Sequence, residues 1–313
     1  MVAERRSLDA SAFSLLTLLS FLWGVQQVVV KLTAPYISLV MQCGIRSLLA
    51  TVLLLVWARA RGVALTTPDG TLRPGLLAGF LFSVEFLFIY AGLGHTAASR
   101  MVVFLYLAPP LTALGLALFV PGERLILRQW LGVIVSFLGI VLAFSDGLFA
   151  QRQSTWLGDL FGVLAALSWA TTTVIIRGSA LARASATKTL LYQVGAASVL
   201  LILASRLIGE VGVVAVTPAV VASIVYQGAI VAFASFLVWF WLLTRYYAAR
   251  MAAFSFLTPL FGVLAGVIVL GEPLTTYFVV AVALVAVGIA LVNFGPSEIV
   301  RGADAPPTGR QRA

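Results

Sequence analysis

The segment ASRMVVFLYLAPPLTALGLALFVPGE, residues 98–123, occurs a second time as AARMAAFSFLTPLFGVLAGVIVLGE, residues 248–272. The copies lie 150 positions apart, falling to 149 after one gap. They pair Ala98 with Ala248, Arg100 with Arg250, Met101 with Met251, Phe104 with Phe254, Leu107 with Leu257, Pro109 with Pro259, Gly122 with Gly271 and Glu123 with Glu272. Two unrelated apolar segments share Leu and Val by composition alone, but not an Arg, a Pro and a Gly-Glu pair at matching places. The chain is therefore read as an internal duplication. Residues 23–31, running from Trp23 to Lys31, align with Trp169 to Arg177 at an offset of 146, and Gly139-Ile140 aligns with Gly288-Ile289 at 149.

Composition sets the environment. Of the 313 residues, 61% are hydrophobic and 10% charged, with a mean hydropathy of +1.08. Soluble domains average about 45–50% apolar and about 25% charged, so no soluble fold covers this much apolar surface. The apolar runs recur at about the 20 residues that a helix needs to cross a bilayer. Ten helices are predicted, over residues 11–31, 37–58, 74–94, 97–120, 127–145, 157–177, 188–208, 219–243, 249–270 and 276–294. The first run is read as a span, since no small-residue cleavage site follows it and many spans do. The tails are short and polar, and the Pro306-Pro307 region is expected to be disordered. Cys43 is the single cysteine and reads as a buried small residue.

The net charge of +9 forms no stripe that would suit nucleic acid. It follows membrane orientation instead. Fifteen Lys and Arg residues fall on the side of the N-terminus, four on the other, and Arg46 lies inside a span. Positive residues flanking spans are retained in the cytoplasm, which places both termini there. A five-span unit copied in tandem enters the membrane from opposite sides, so the halves are expected to be inverted repeats. Such halves have two packings of near-equal energy, one open to each side, which is the physical basis of alternating access. The predicted fold is an all-α polytopic membrane protein of ten transmembrane helices, built as two inverted five-helix repeats around a central cavity. Its divisions are a tail at 1–10, a first repeat at 11–145, a linker at 146–156, a second repeat at 157–294 and a tail at 295–313.

These residues resemble the EamA-like transporters of the drug/metabolite transporter superfamily. The likeness rests on Trp23, Gly24 and Lys31; on Tyr90-Ala-Gly-Leu running into Thr96-Ala-Ala-Ser-Arg100; on residues 104–109 ahead of Gly122-Glu123-Arg124; and on the second copies at Trp169, Pro259 and Gly271-Glu272. It covers nearly all of residues 11–294. The resemblance implies ten helices in two five-helix repeats, a central cavity, and transport of small organic metabolites, often outward, across a cytoplasmic (inner) membrane. Departures are Pro110, which doubles a proline, Pro121 in place of the equivalent of Leu270, and the intraspan charges Arg46 and Glu85.

Glu85 sits near the middle of the third span, where a charge costs about 2.5–3.5 kcal/mol on insertion scales. Two readings stand: a cavity carboxylate that binds a solute amine or a coupling proton, or a structural ion pair with Arg46. Arg46 carries the mirror alternative, a fork for a solute carboxylate or a counter-ion for Glu85. The second copy has Ser235 where the first has Glu85. Trp23, Gln26, Tyr90, Tyr106, Trp169, Thr173, Gln193, Gln227 and Trp239 complete the candidate solute-binding set, since a mixed aromatic and amide wall suits an amphipathic solute. Trp57, Trp130 and Trp156 read as interfacial anchors. Pro109, Pro110 and Pro259 are candidate hinges or gates, because proline frees carbonyls and permits a bend. The Gly-x-x-x-Gly pairs at Gly75, Gly158 and Gly262 read as close helix contacts. Glu123 and Glu272 are expected to cap helices or bind loops.

His95, the sole histidine, has no companions spaced for a metal. No catalytic residue, metal or cofactor is expected. No phosphate-binding glycine loop supports ATP-driven transport, and no nucleophile elbow supports a hydrolase. The expected function is a secondary active or facilitative transporter of small amphipathic metabolites, amino acids or related compounds, acting outward with lipids around it, protons as a possible coupling ion and a monomeric or homodimeric state. The alternatives are a membrane-embedded enzyme or lipid-handling protein, and within transporters a drug-efflux or nucleotide-type permease.

Overall fold

The computed structural model of the protein describes residues 9–120, 125–149, 155–246, 254 and 257–293. The expectations for residues 1–8 and 295–313 of the tails, for residues 150–154 of the linker, for Pro121, Gly122, Glu123, and for Arg250 and Met251 lie outside these residues. Among the described residues the elements are helical, and the one extended pairing is an isolated bridge between Ile37 and Val213. The helices are α1 (Ala10–Thr33), α2 (Leu39–Ala60), α3 (Leu72–Leu93), α4 (Ala98–Leu105), α5 (Ala108–Phe119), α6 (Leu127–Phe149), α7 (Thr155–Arg177), α8 (Ala186–Leu207), α9 (Pro218–Val225), α10 (Phe236–Arg245), α11 (Leu257–Leu270) and α12 (Thr276–Asn293). Among the described residues seven helical stretches are long and apolar enough to cross a membrane, and Leu127–Ala143, Leu257–Leu270 and Thr276–Val292 are shorter apolar helices. The outward faces carry large apolar side chains, such as Val56, Phe119, Val141 and Ile268. In a bilayer these face lipid tails.

Helix ends follow local chemistry. Asp9 Oδ1 accepts the Ala12 N–H at 2.8 Å to start α1, Ser185 Oγ accepts the Lys188 N–H at 3.2 Å to start α8, and Thr217 Oγ1 accepts the Val220 N–H at 3.2 Å where Pro218 opens α9. Each hydroxyl or carboxylate satisfies a donor that the first turn leaves without a partner. Gly62 and Gly209, at φ 62° and 77°, follow α2 and α8 and adopt the left-handed turn that ends a helix without a Cβ penalty.

Two predicted spans are interrupted. The fourth divides at Tyr106 and Leu107 into α4 and α5. Pro109 and Pro110 were expected to interrupt one continuous helix; here they stand in the first turn of a new one, where a missing N–H forfeits no intrahelical bond. Pro259 is likewise the third residue of α11. The eighth span runs α9, a π-helical stretch over Tyr226–Ser235, then α10. π-Helical turns inside α-helices are uncommon and are often found at functional sites.

The two sequence halves interleave. The principal helix contacts pair a member of the first half with one of the second: α6 with α12, α3 with α7 and α8, α2 with α8, and α1 with α11. Small residues set these crossings. A Cβ on Gly24 would meet Thr258 O at 2.6 Å, one on Gly132 would meet Gly288 O at 2.7 Å, and one on Gly158 would meet the Thr96 backbone N at 2.7 Å. The backbones are therefore in direct contact, as between closely packed membrane helices. In each Gly-x-x-x-Gly pair at least one glycine, Gly79, Gly158 or Gly262, lies against the backbone of another segment. The second helices of the halves, α2 and α8, run antiparallel, for the start of α2 binds Glu210 just beyond the end of α8. So do the fifth, α6 and α12, for Gln129 near the start of α6 donates to Val292 O near the end of α12.

Candidate functional site

Between the halves lies a cavity of about 630 Å³. Its deep wall holds Arg46 of α2, Phe82, Glu85, Phe86 and Ile89 of α3, Trp23, Gln26 and Gln27 of α1 and Gln193 of α8. From there it runs past Tyr106, Pro109, Trp169, Thr172 and Thr173 to Leu116 and Ala117 at the end of α5, Ile176 at the end of α7 and Gln129 in α6. Those last residues mark the face on which α1 begins. The cavity thus reaches from the middle of the helix bundle to the N-terminal face.

The opposite face is bound shut by polar contacts between the halves. Lys31, in the last turn of α1, donates to Thr96 O at 2.7 Å and lies 4.0 Å from Glu272. Glu272 accepts the N–H groups of Ala98 and Ser99 at 2.6 and 2.9 Å, capping α4 as expected of this carboxylate. Asp159 accepts from Thr96 Oγ1 at 2.8 Å and from Arg100 Nε at 3.1 Å, and pairs with Arg100 Nη2 at 2.5 Å. Arg100 also donates to Ala143 O. Glu210 accepts from Val40 N, Met41 N and Ser205 Oγ at 3.0, 3.0 and 2.7 Å. Asp159 and Glu210 escaped sequence reading because neither falls in a repeated motif. Asp159, wholly buried in an apolar helix, was the one with a signal, since an intraspan carboxylate needs a partner.

Arg46 is 2% and Glu85 5% exposed. They share the cavity but form no direct ion pair, so the pairing left open by the sequence is not made. The Arg46 guanidinium carbon lies 4.2 Å from the Phe86 ring centroid and 5.4 Å from that of Tyr90, a stacked arrangement that stabilises a cation off water. Among the described residues its Nε has no hydrogen-bond partner. A buried guanidinium with an unmet donor retains the capacity for one more acceptor.

The remaining candidates divide. Trp23 donates to Ser235 Oγ at 2.8 Å and packs edge-on to Trp239 at 5.5 Å; Trp169 stands edge-on to Tyr106 at 5.8 Å. Trp23, Tyr106, Trp169 and Trp239, with Gln26, Thr173 and Gln193, line the cavity. Tyr90 and Gln227 do not. Both are fully buried behind its wall, where Gln26 donates to Tyr90 Oη at 3.3 Å, Tyr90 donates to Gln227 Oε1 at 2.6 Å, and Gln227 donates to Gln42 Oε1 and Ser223 Oγ at 3.1 and 2.8 Å. Their polar atoms serve a network that holds α1, α2, α3 and the π-helical stretch together. Pro109 lines the cavity, whereas Pro110 and Pro259 are outside its wall. His95 packs edge-on to Phe161 at 6.2 Å.

The model of the EamA-like transporter family matches residues 10–145 and again residues 156–294. Over 281 residues the chain is 26% identical to the "Uncharacterized transporter YvbV" of Bacillus subtilis (strain 168), covering 89% of this chain and 90% of that one. It is 23% identical to a "Probable amino-acid metabolite efflux pump" of Salmonella typhimurium, over 87% of this chain and 91% of the relative. A crystal structure shares the fold with a TM-score of 0.62 at 19% identity, over 91% of this chain and 98% of that chain.

Proposed function

Because the chain belongs to the EamA-like transporter family and is thus a multi-pass cell membrane protein of transporter type, we propose that it moves small amphipathic metabolites by alternating access. Its solutes on this reading are amino acids or related compounds, carried outward. The ten-span reading takes the seven long helical stretches with the three shorter apolar helices, with both termini in the cytoplasm. The antiparallel course of α2 against α8, and of α6 against α12, supports inverted halves. The cavity then belongs to the state open to the cytoplasm.

The observation that carries the reading is Arg46. A guanidinium is retained in mid-bundle, stacked on Phe86, with a donor unmet among the described residues at the closed end of a cavity whose other end reaches one face. Arg46 binds the solute carboxylate, Glu85 binds its amine, and Trp23, Phe86 and Trp169 provide the flat apolar wall for its side chain. Proteoliposomes loaded with unlabelled amino acid should take up the labelled one by counterflow, saturably. An imposed proton gradient should be tested for accumulation in the same vesicles. Unsaturable flux of channel size, or chemical conversion without net movement, would sink the proposal.

A further inference from the structure

The halves do not treat their central tryptophans alike. Trp23 donates its indole N–H to Ser235 Oγ, which itself donates to Val231 O at 2.5 Å. Trp169 is the counterpart of Trp23 at the offset of 146, and its indole N–H has no hydrogen-bond partner among the described residues. The counterpart of Ser235 at 150 is Glu85. That alignment is secured by the identical neighbours Phe86/Phe236 and Leu87/Leu237. Glu85 and Trp169 line the same cavity, on helices α3 and α7 that pack together, and Glu85 too makes no hydrogen bond or ion pair among the described residues. Both halves therefore hold the same donor and an acceptor at the equivalent place. One half makes the bond and the other leaves it open.

In a carrier of inverted repeats, the opposite-facing state arises when each half takes up the conformation of the other. We infer that in that state Trp169 donates to Glu85 while Trp23 leaves Ser235, so that Trp169 and Ser235 are positioning residues for the solute site. The inference rests on the transport reading above and adds a direction to it. With the cavity at the N-terminal face, the Glu85 carboxylate is open to a cationic group on the solute. In the opposite state the indole occupies it. A solute amine is thereby held more tightly from the N-terminal face than from the other, and this differential affinity is what a ligand needs to shift the two states. A serine in both halves would remove the difference.

The test is a reporter Ala117→Cys in a Cys43→Ala background, labelled with a membrane-impermeant maleimide from the N-terminal face of vesicles holding the full chain. Ser235→Ala should slow labelling and Glu85→Ala should speed it, each by about two- to tenfold, the range set by one net hydrogen bond. Trp169→Phe should speed it as Glu85→Ala does, and the two together should add nothing further. Glu85→Ser, which keeps an acceptor as in the second half, should speed labelling less than Glu85→Ala does. Shifts in the same direction, no shift, or independent addition of Trp169→Phe and Glu85→Ala would overturn the inference. Counterflow by the unsubstituted protein in the same vesicles tests the transport reading separately, so absent opposed shifts with intact counterflow would remove this assignment alone.

Discussion

Glu272, in the second half of the chain, accepts the backbone N–H of Ala98, in the first half, at 2.6 Å. A carboxylate at a helix N-terminus meets unpaired donors and the positive end of the helix dipole. With Lys31 alongside, this contact closes the face away from the cavity. Glu272→Ala should lower stability by about 1–2 kcal/mol, the ordinary cost of a lost cap, seen as an earlier thermal unfolding transition in detergent. Glu272→Gln, which still accepts one N–H, should lose less.

Arg100 and Asp159 form a buried pair, with Asp159 wholly inaccessible. Removing one partner strands a charge, so Arg100→Leu or Asp159→Leu alone should cost about 3–5 kcal/mol. The double replacement should be less damaging than either single, because no charge is then left unpaired. Unfolding of the three variants measured side by side checks this, and simple additivity would contradict it.

Arg46 is predicted to hold the solute carboxylate. Arg46→Leu should reduce amino acid counterflow about tenfold or more, given about 1.5–3 kcal/mol for a hydrogen bond to a charged group, while esterified amino acids should lose much less. Arg46→Lys should recover little, since a point charge does not reproduce the planar fork. Equal losses for acid and ester would refute the assignment.

Gly24 meets α11 backbone to backbone. Gly24→Ala would place its Cβ 2.6 Å from Thr258 O and 2.9 Å from Gly262 N; backbone atoms yield less readily than side chains. We expect a loss of about 1–3 kcal/mol from overpacking, whereas Gly195→Ala, with nothing within 4 Å of the new Cβ, should be neutral or mildly stabilising because it improves helix propensity. Melting temperatures of the pair decide the matter.

Acid should act first outside the membrane. Lys188 donates to Asp69 at 2.8 Å and Thr71 Oγ1 donates to the same carboxylate at 2.6 Å, holding its pKa well below the usual carboxylate range. Asp9, bonded by Ser11, Ala12 and Tyr246, is lowered to about 2. A depressed carboxylate pKa gives stability that is complete above the unfolded value, about 4, and is lost as pH falls through the folded one. Asp69→Asn should therefore be less stable than wild type at neutral pH, and the gap should narrow only below about pH 4. Melting curves across that range provide the check.

Much of this protein was legible in one dimension. Apolar runs of bilayer length place most of the helices, since a helix in lipid must satisfy its own backbone and needs no distant partner to be recognised. The repeat around Pro109 and Pro259, and the intraspan positions of Arg46 and Glu85, are likewise properties of order along the chain. Which of those residues meet is not. Arg46 and Glu85 sit in neighbouring predicted spans and invite pairing, yet helix rotation sets Arg46 on Phe86 and leaves Glu85 to the cavity. Tyr90 and Gln227 belong to the same compositional set as Gln26, but lie behind the wall because bonding partners in other helices draw their polar ends inward. Asp159 acquires its meaning only when the start of the second half packs against Arg100. Helix formation is a local decision, whereas the facing of each side chain depends on close-packed crossings such as Gly24 on Gly262, and those exist only once both halves have interleaved.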